Sequence, residues 1–133
     1  MPELNFTPEQ RAAIDTRGST VLVSAAAGSG KTRVLTERLM AYLTDAENPV
    51  DIDRFLVIPY TRAAAAELRS RILDGIYARI ASDPENRRLR RQVALCARAE
   101  IGTIHSFCAD FLRANCAALA LAPDFQVADT ERC

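Results

Sequence analysis

Apolar and polar positions alternate along this chain in two periods. Between residues 33 and 44 the apolar side chains Val34, Leu35, Leu39, Met40 and Leu43 recur at helical spacing. Residues 20–24 and 54–58 are short, β-branched or apolar runs of the kind that form buried strands. Residues 101–104 read as a third short strand. Helices are predicted over residues 8–16, 33–44, 62–81, 86–99 and 105–119. Thr7-Pro8-Glu9-Gln10 opens the first: Thr7 can cap, Pro8 suits the first helical position, and Gln10 completes a capping box. Arg17-Gly18 ends it, Asn48-Pro49 marks a loop, and Ser82-Asp83-Pro84-Glu85 breaks the chain and supplies a new cap. On the fourth helix, Leu89, Val93, Leu95 and Cys96 form the expected inner face. Leu121-Ala122-Pro123 stops the fifth.

Strands alternating with helices predict an α/β fold with a parallel sheet flanked by helices. Three strands make a small sheet with unprotected edges, so the pattern reads as an incomplete, three-strand piece of a larger fold.

At 133 residues the chain is about one domain long, and 49% hydrophobic content is enough for a modest core. Formal net charge is zero, so no global basic excess points to nucleic acid. The cations are uneven: Lys31 is the one lysine among 17 Lys and Arg residues. Lysine is a compact point charge that fits beside a phosphate, whereas arginine is a planar fork.

Lys31 sits in Ala25-Ala26-Ala27-Gly28-Ser29-Gly30-Lys31-Thr32, between a predicted strand and a predicted helix. That context is what a phosphate loop requires. Gly28 and Gly30 permit backbone geometries closed to other residues, and the amides of residues 27–32 would form an anion nest at a helix N-terminus. Lys31 would reach the β- and γ-phosphates of ATP, and the Thr32 hydroxyl would ligate Mg²⁺. The strict pattern opens on glycine; here that position is Ala25.

The loop, in the form AAAGSGKTRVL with TPEQ upstream, resembles superfamily 1 DNA helicases of the UvrD/Rep type. Leu56-Val57-Ile58-Pro59-Tyr60-Thr61-Arg62 and the alanines after it resemble the family's motif Ia. Gly102-Thr103-Ile104-His105-Ser106-Phe107-Cys108 is similar to its TxHSFC motif. Residues 122–129 resemble the segment that follows in the AddA branch, the helicase–nuclease subunit of bacterial double-strand-break repair. The resemblance spans residues 6–130. It implies a P-loop NTPase (RecA-like) fold, with residues 1–120 the N-terminal part of motor domain 1A and residues 121–133 the start of a following subdomain or tail.

It also implies roles. Gln10 would read the adenine edge, and Arg33 would stack on the adenine face. Tyr60, Thr61 and Arg62 would touch single-stranded DNA, with His105 near the DNA path; Pro59, Tyr60 and Arg62 replace the usual Thr, Phe and Asn. The bland alternatives are a capping role for Gln10, core packing for Tyr60, and a structural cap or buried hydrogen bond for His105. Arg87, Arg88, Arg90 and Arg91 form either a solvated face or a DNA-backbone patch. Cys108 is expected to be buried. The implied partners are single-stranded or duplex-end DNA, the remaining helicase domains and an AddB-like subunit.

The family's acidic pair, usually DExQD, follows no buried strand in these 133 residues, and neither a second motor domain nor a nuclease domain is present. The expectation is an N-terminal fragment that binds ATP and is not a full ATPase. A small phosphate-loop kinase and a non-catalytic single-strand-binding module are the competing functions.

Cys96, Cys108, Cys116 and Cys133 contain no CxxC pair and share one histidine, His105, which argues against a zinc site. Reduced, mostly buried thiols in a cytoplasmic protein are expected. MPELNFTPEQ lacks a signal-peptide pattern, and no apolar run approaches the ~20 residues of a membrane span.

Overall fold

A computed structural model describes residues 5–128. Asp129, Thr130, Glu131 and Cys133 lie outside the described residues. The elements run α1 (Pro8–Asp15), α2 (Lys31–Leu43), a 3-10 turn (Ile52–Arg54), β1 (Leu56–Val57), α3 (Arg62–Ser82), α4 (Arg87–Cys96), β2 (Glu100–Ile101), α5 (Ile104–Ala114) and a second 3-10 turn (Cys116–Leu119).

The helices start where short polar side chains can hold their first amides. Thr7, Thr61, Asn86 and Thr103 cap α1, α3, α4 and α5, each accepting from the backbone N–H three residues on. In α3, Ala65, Leu68, Ile72 and Ile76 recur every three or four residues and are buried. Leu68, Ile72 and Ile76 meet Leu39, Met40 and Leu43 of α2, Ile52 of the first turn, and Leu95 and Cys96 of α4 in one core. Each such large side chain, fully buried, contributes about 1.5–3 kcal/mol. Gly75 lies mid-helix in α3 because Met40 crosses there: a Cβ at that position would come within 3.1 Å of the Met40 sulfur.

β1 and β2 pair in parallel, Leu56 with Glu100 and Val57 with Ile101. Val57 and Ile101 are buried and their neighbours exposed, the period-2 signature of a strand. The sheet among the described residues has two strands, not three. Residues 20–24, expected to form the first strand, carry no ladder, and Leu22 is 91% exposed. A strand is a relation between segments. Apolar β-branched residues propose it, but a neighbour must supply the hydrogen bonds, and among the described residues none forms a ladder with this segment. Val21 does pack, against a smaller cluster of Ala13, Ile14 and Val34 that joins α1 to α2.

The expected inner face of α4 is also revised. Gln92 is fully buried, whereas Val93 is partly buried. Gln92 Oε1 accepts from the Ile52 N–H at 2.9 Å, and Nε2 donates to Asp51 Oδ1 at 2.7 Å. This pairing is what makes a buried amide tolerable. Three arginines of the run on the same helix, Arg87, Arg90 and Arg91, are exposed, and Arg88 is partly buried. Arg88 pairs with Asp51 at 2.9 Å and Arg91 with the other Asp51 oxygen at 3.5 Å, tying α4 to the segment before β1. Among the described residues no helix is long and apolar enough to cross a membrane.

Candidate nucleotide site and nucleic-acid surface

The loop of residues 25–30 leads into α2 through two left-handed glycines, Gly28 at φ 76° and Gly30 at φ 84°. A side chain at either would be strained. No side chain caps Gly30, the N-cap of α2. The amides of Gly30, Lys31, Thr32 and Arg33 find no backbone acceptor among the described residues. They are the free donors every helix N-terminus leaves, and the 13-residue helix behind them adds a favourable dipole for an anion. Lys31 Nζ lies along the same loop and donates to the carbonyls of Ala25 and Ala26, the latter at 3.0 Å. The exposed Thr32 hydroxyl has no hydrogen-bond partner among the described residues, while its backbone carbonyl accepts from Thr36. Backbone donors, one ammonium and a free hydroxyl form a donor set that suits a polyphosphate with its magnesium ion.

Gln10 reaches this loop from α1. Its backbone N–H donates to Thr7 Oγ1 at 3.3 Å and its Oε1 accepts from the Thr7 N–H at 3.0 Å, so the capping box is formed. Its Nε2 also donates to the Ser29 carbonyl at 3.1 Å. A Cβ on Gly30 would come within 3.4 Å of that nitrogen, so the glycine also provides room for the contact. A cavity of about 240 Å³ opens between α1 and the loop, lined by Gln10, Ala13, Val23, Ser29, Lys31 and Val34 among others. Glu9 stands on its rim. Its own backbone amide, and then the Thr7 hydroxyl, hold its carboxyl below the usual range.

Arg33 projects from the first turn of α2, and its guanidinium carbon lies 4.6 Å from the centre of the Phe6 ring. Phe6 is not among the candidates that the sequence points to. The available signal is its place immediately before the capping Thr7, where an apolar residue often packs back on the helix.

The other candidates gather on a second surface. Tyr60 is 98% exposed, so it does not pack in the core. The Thr61 hydroxyl is engaged as the cap of α3, accepting from Ala64 N–H at 3.0 Å, and Arg62 is the first residue of that helix. His105 is exposed in the first turn of α5; Thr103, not His105, caps that helix. The fold brings Arg62 and His105 to one cavity of about 460 Å³, together with Arg113 and Phe125. β pairing positions them: β1 runs toward Tyr60–Arg62, β2 runs toward Thr103–His105, and the Gly102 N–H donates to Val57 O at 3.1 Å. Arg69 adds a tether from α3 to the chain before and at β2, donating to the carbonyls of Cys96, Ala99 and Ile101.

The cysteines differ from expectation. Cys96 is buried, but Cys108 is exposed and Cys116 intermediate, and all three are free. α5 has no buried residue, so the apolar company expected for Cys108 is not among the described residues. Burial pushes the Cys96 thiol up, against a smaller opposing effect of Arg69.

Similarity to known proteins agrees with the geometry. The UvrD/REP helicase N-terminal domain matches residues 6–133. An ATP-dependent helicase/nuclease subunit from Clostridium acetobutylicum is 52% identical over 125 residues, covering 94% of this chain and 10% of that protein. The proteins of the same name from Thermoanaerobacter sp. (strain X514) and Clostridium beijerinckii are 52% and 48% identical, over 93% and 97% of the chain and 10% of each relative. The chain thus spans about a tenth of the length of these relatives. With its glycine- and lysine-bearing loop and the two motifs at the ends of its paired strands, the chain belongs to the UvrD/REP helicase N-terminal domain family.

Proposed function

We propose that this chain is the ATP-binding portion of an ATP-dependent DNA helicase of the AddA helicase–nuclease type, with a P-loop NTPase (RecA-like) fold. Residues 1–120 then belong to motor domain 1A, and residues 121–133 lead into the next subdomain. One observation carries the reading: Gln10 of α1 bonds the carbonyl of Ser29 in the same glycine loop along which Lys31 lies. A base-reading amide and a phosphate-binding ammonium are thereby held at one short loop.

The free amides of residues 30–33 bind the phosphate oxygens, and Lys31 neutralises charge on the β- and γ-phosphates. Thr32 offers a hydroxyl to Mg²⁺, which supplies Lewis-acid charge stabilisation at the phosphates. Gln10 retains one N–H and one acceptor site for an adenine edge. Tyr60, Arg62 and His105 form the surface for single-stranded DNA, with an exposed aromatic for base stacking and a cation for phosphate. The substrate in this reading is single-stranded or duplex-end DNA during double-strand-break repair. The partners are the remaining helicase domains and an AddB-like subunit, in the cytoplasm. An acidic pair to orient water is not found after a buried strand in these residues, so the chain alone binds nucleotide weakly and hydrolyses almost none.

Calorimetric titration with Mg²⁺–ATP tests this. Lys31→Ala abolishes binding and leaves the fold intact, because Lys31 is exposed. Unchanged affinity, or robust DNA-stimulated ATPase from this chain alone, rejects the reading.

A further inference from the structure

Phe6 is half-buried and carries two arginines. Arg33 of α2 lies over its ring at 4.6 Å and Arg11 of α1 at 5.2 Å. Neither arginine has a carboxylate partner or a hydrogen-bonded side-chain contact among the described residues. Their guanidinium groups are therefore held, so far as these residues hold them, by the ring.

The ring itself is well fixed. Phe6 directly precedes the capping Thr7, and Arg11 is four residues beyond that cap. These are the two positions that pack together in a hydrophobic staple, here with an arginine taking the apolar partner's place. Phe6 also packs on the Ala13, Ile14 and Val34 cluster, which spans α1 and α2. Arg33 directly follows Lys31 and Thr32 in α2, and Gln10 lies on the same helix as Arg11. Phe6 thus holds a planar cation between the helix that presents the amide and the helix that begins at the phosphate loop.

We propose that Phe6 is a positioning residue for the nucleotide base: it holds the Arg33 guanidinium so that the base packs on Arg33 beside the Gln10 amide. The inference rests on the ATP-binding reading above, and adds to it the residue that aims Arg33. A guanidinium stacks well on a flat π system, and a cation held against one ring has less conformational freedom to lose when a second arrives.

The test compares Mg²⁺–ATP with Mg²⁺–tripolyphosphate, which has the phosphates and no base, by calorimetry on the full chain. The ratio of the two affinities reads the base contribution. Wild type prefers ATP. Phe6→Leu keeps the apolar packing but loses the aromatic face, and lowers ATP affinity about two- to five-fold while tripolyphosphate affinity stays unchanged. Phe6→Tyr restores the ratio. Arg33→Lys, at an exposed position where folding is not at issue, lowers the ratio in the same way. A wild type with no preference for ATP, or an unchanged ratio in Phe6→Leu, overturns the proposal. Lys31→Ala separates the two readings. If it leaves both affinities unchanged, the phosphate-loop reading has failed; if it removes both while the ratio survives Phe6→Leu, only the Phe6 proposal has.

Discussion

The Gln10 side-chain amide donates to the Ser29 carbonyl at 3.1 Å while its oxygen accepts from the Thr7 N–H at 3.0 Å. One side chain therefore closes the start of α1 and grips the glycine loop, and the two jobs use different atoms. Gln10→Glu separates them. A carboxylate keeps the acceptor that Thr7 needs and is favoured in a helix first turn, so stability changes by no more than about 0.5 kcal/mol. The donor to Ser29 is lost, and a carboxylate then faces a carbonyl. ATP affinity falls about tenfold, as expected for losing a hydrogen bond and opposing two acceptors. Parallel urea unfolding and calorimetry read both outcomes; a variant that loses stability but keeps affinity contradicts this division.

Gln92 is buried between α4 and the turn before β1, where it satisfies the N–H of Ile52. Gln92→Leu fits an apolar side chain but leaves that buried donor without its partner. The expected cost is about 1–3 kcal/mol in urea unfolding. A neutral result implies that the segment moves to find another acceptor.

Tyr60 is almost fully exposed, so Tyr60→Ala leaves the melting temperature unchanged. Its affinity for single-stranded DNA drops by about 1–3 kcal/mol if one base stacks on the ring. Arg62→Ala instead flattens the salt dependence, by about 0.7 in the slope of log K against log salt for one phosphate contact. Loss of neither quantity in a fluorescence titration removes this surface from the DNA path.

Thiol labelling distinguishes Cys96 from Cys108. The thiolate is the reactive form, and burial raises the Cys96 pKa above its ordinary value near 9. Cys108 is exposed and alkylates quickly at about pH 8, whereas Cys96 reacts only on unfolding. Because the folded state holds the Cys96 proton more tightly than the unfolded state, this thiol's contribution to stability is complete below the unfolded pKa. It is lost as pH rises above about 9. Mass spectrometry of the labelled peptides checks the first statement and pH-dependent melting the second.

What is legible in the sequence is local. The capping box of Thr7 and Gln10 and the strands ending at motif positions depend on neighbours a few residues apart, whereas α4 is capped by Asn86, one residue past the segment expected to cap it. Residues 20–24 have the composition of a strand, but pairing requires a distant partner that composition cannot name. Gln92 has no place on the expected inner face of α4 because polarity alone carries no record of the Ile52 amide forty positions away. The arginines of α4 read as one charged run, whereas Asp51 pairs with two of them, Arg88 and Arg91. Cys108 reads as core because cysteine usually is, yet α5 is without a buried residue along its described length. At the site, the loop is plain from its glycines and lysine, whereas Phe6 is hidden because its importance lies in Arg33, on another helix.

α1 and α2 are joined along their length. Arg38 of α2 donates to the carbonyl of Ala13 at 2.6 Å, Val34 packs on Ala13 and Ile14, and Arg17 beyond α1 lies 3.9 Å from the centre of the Tyr42 ring. The pair behaves as a caliper with a welded hinge. One jaw carries Gln10 and Phe6, and the other begins at Lys31 and Arg33. The gap between them is set by helix packing, not by the loop that bridges them. On the proposed reading, the span between base and phosphates is then set by the packing of α1 on α2.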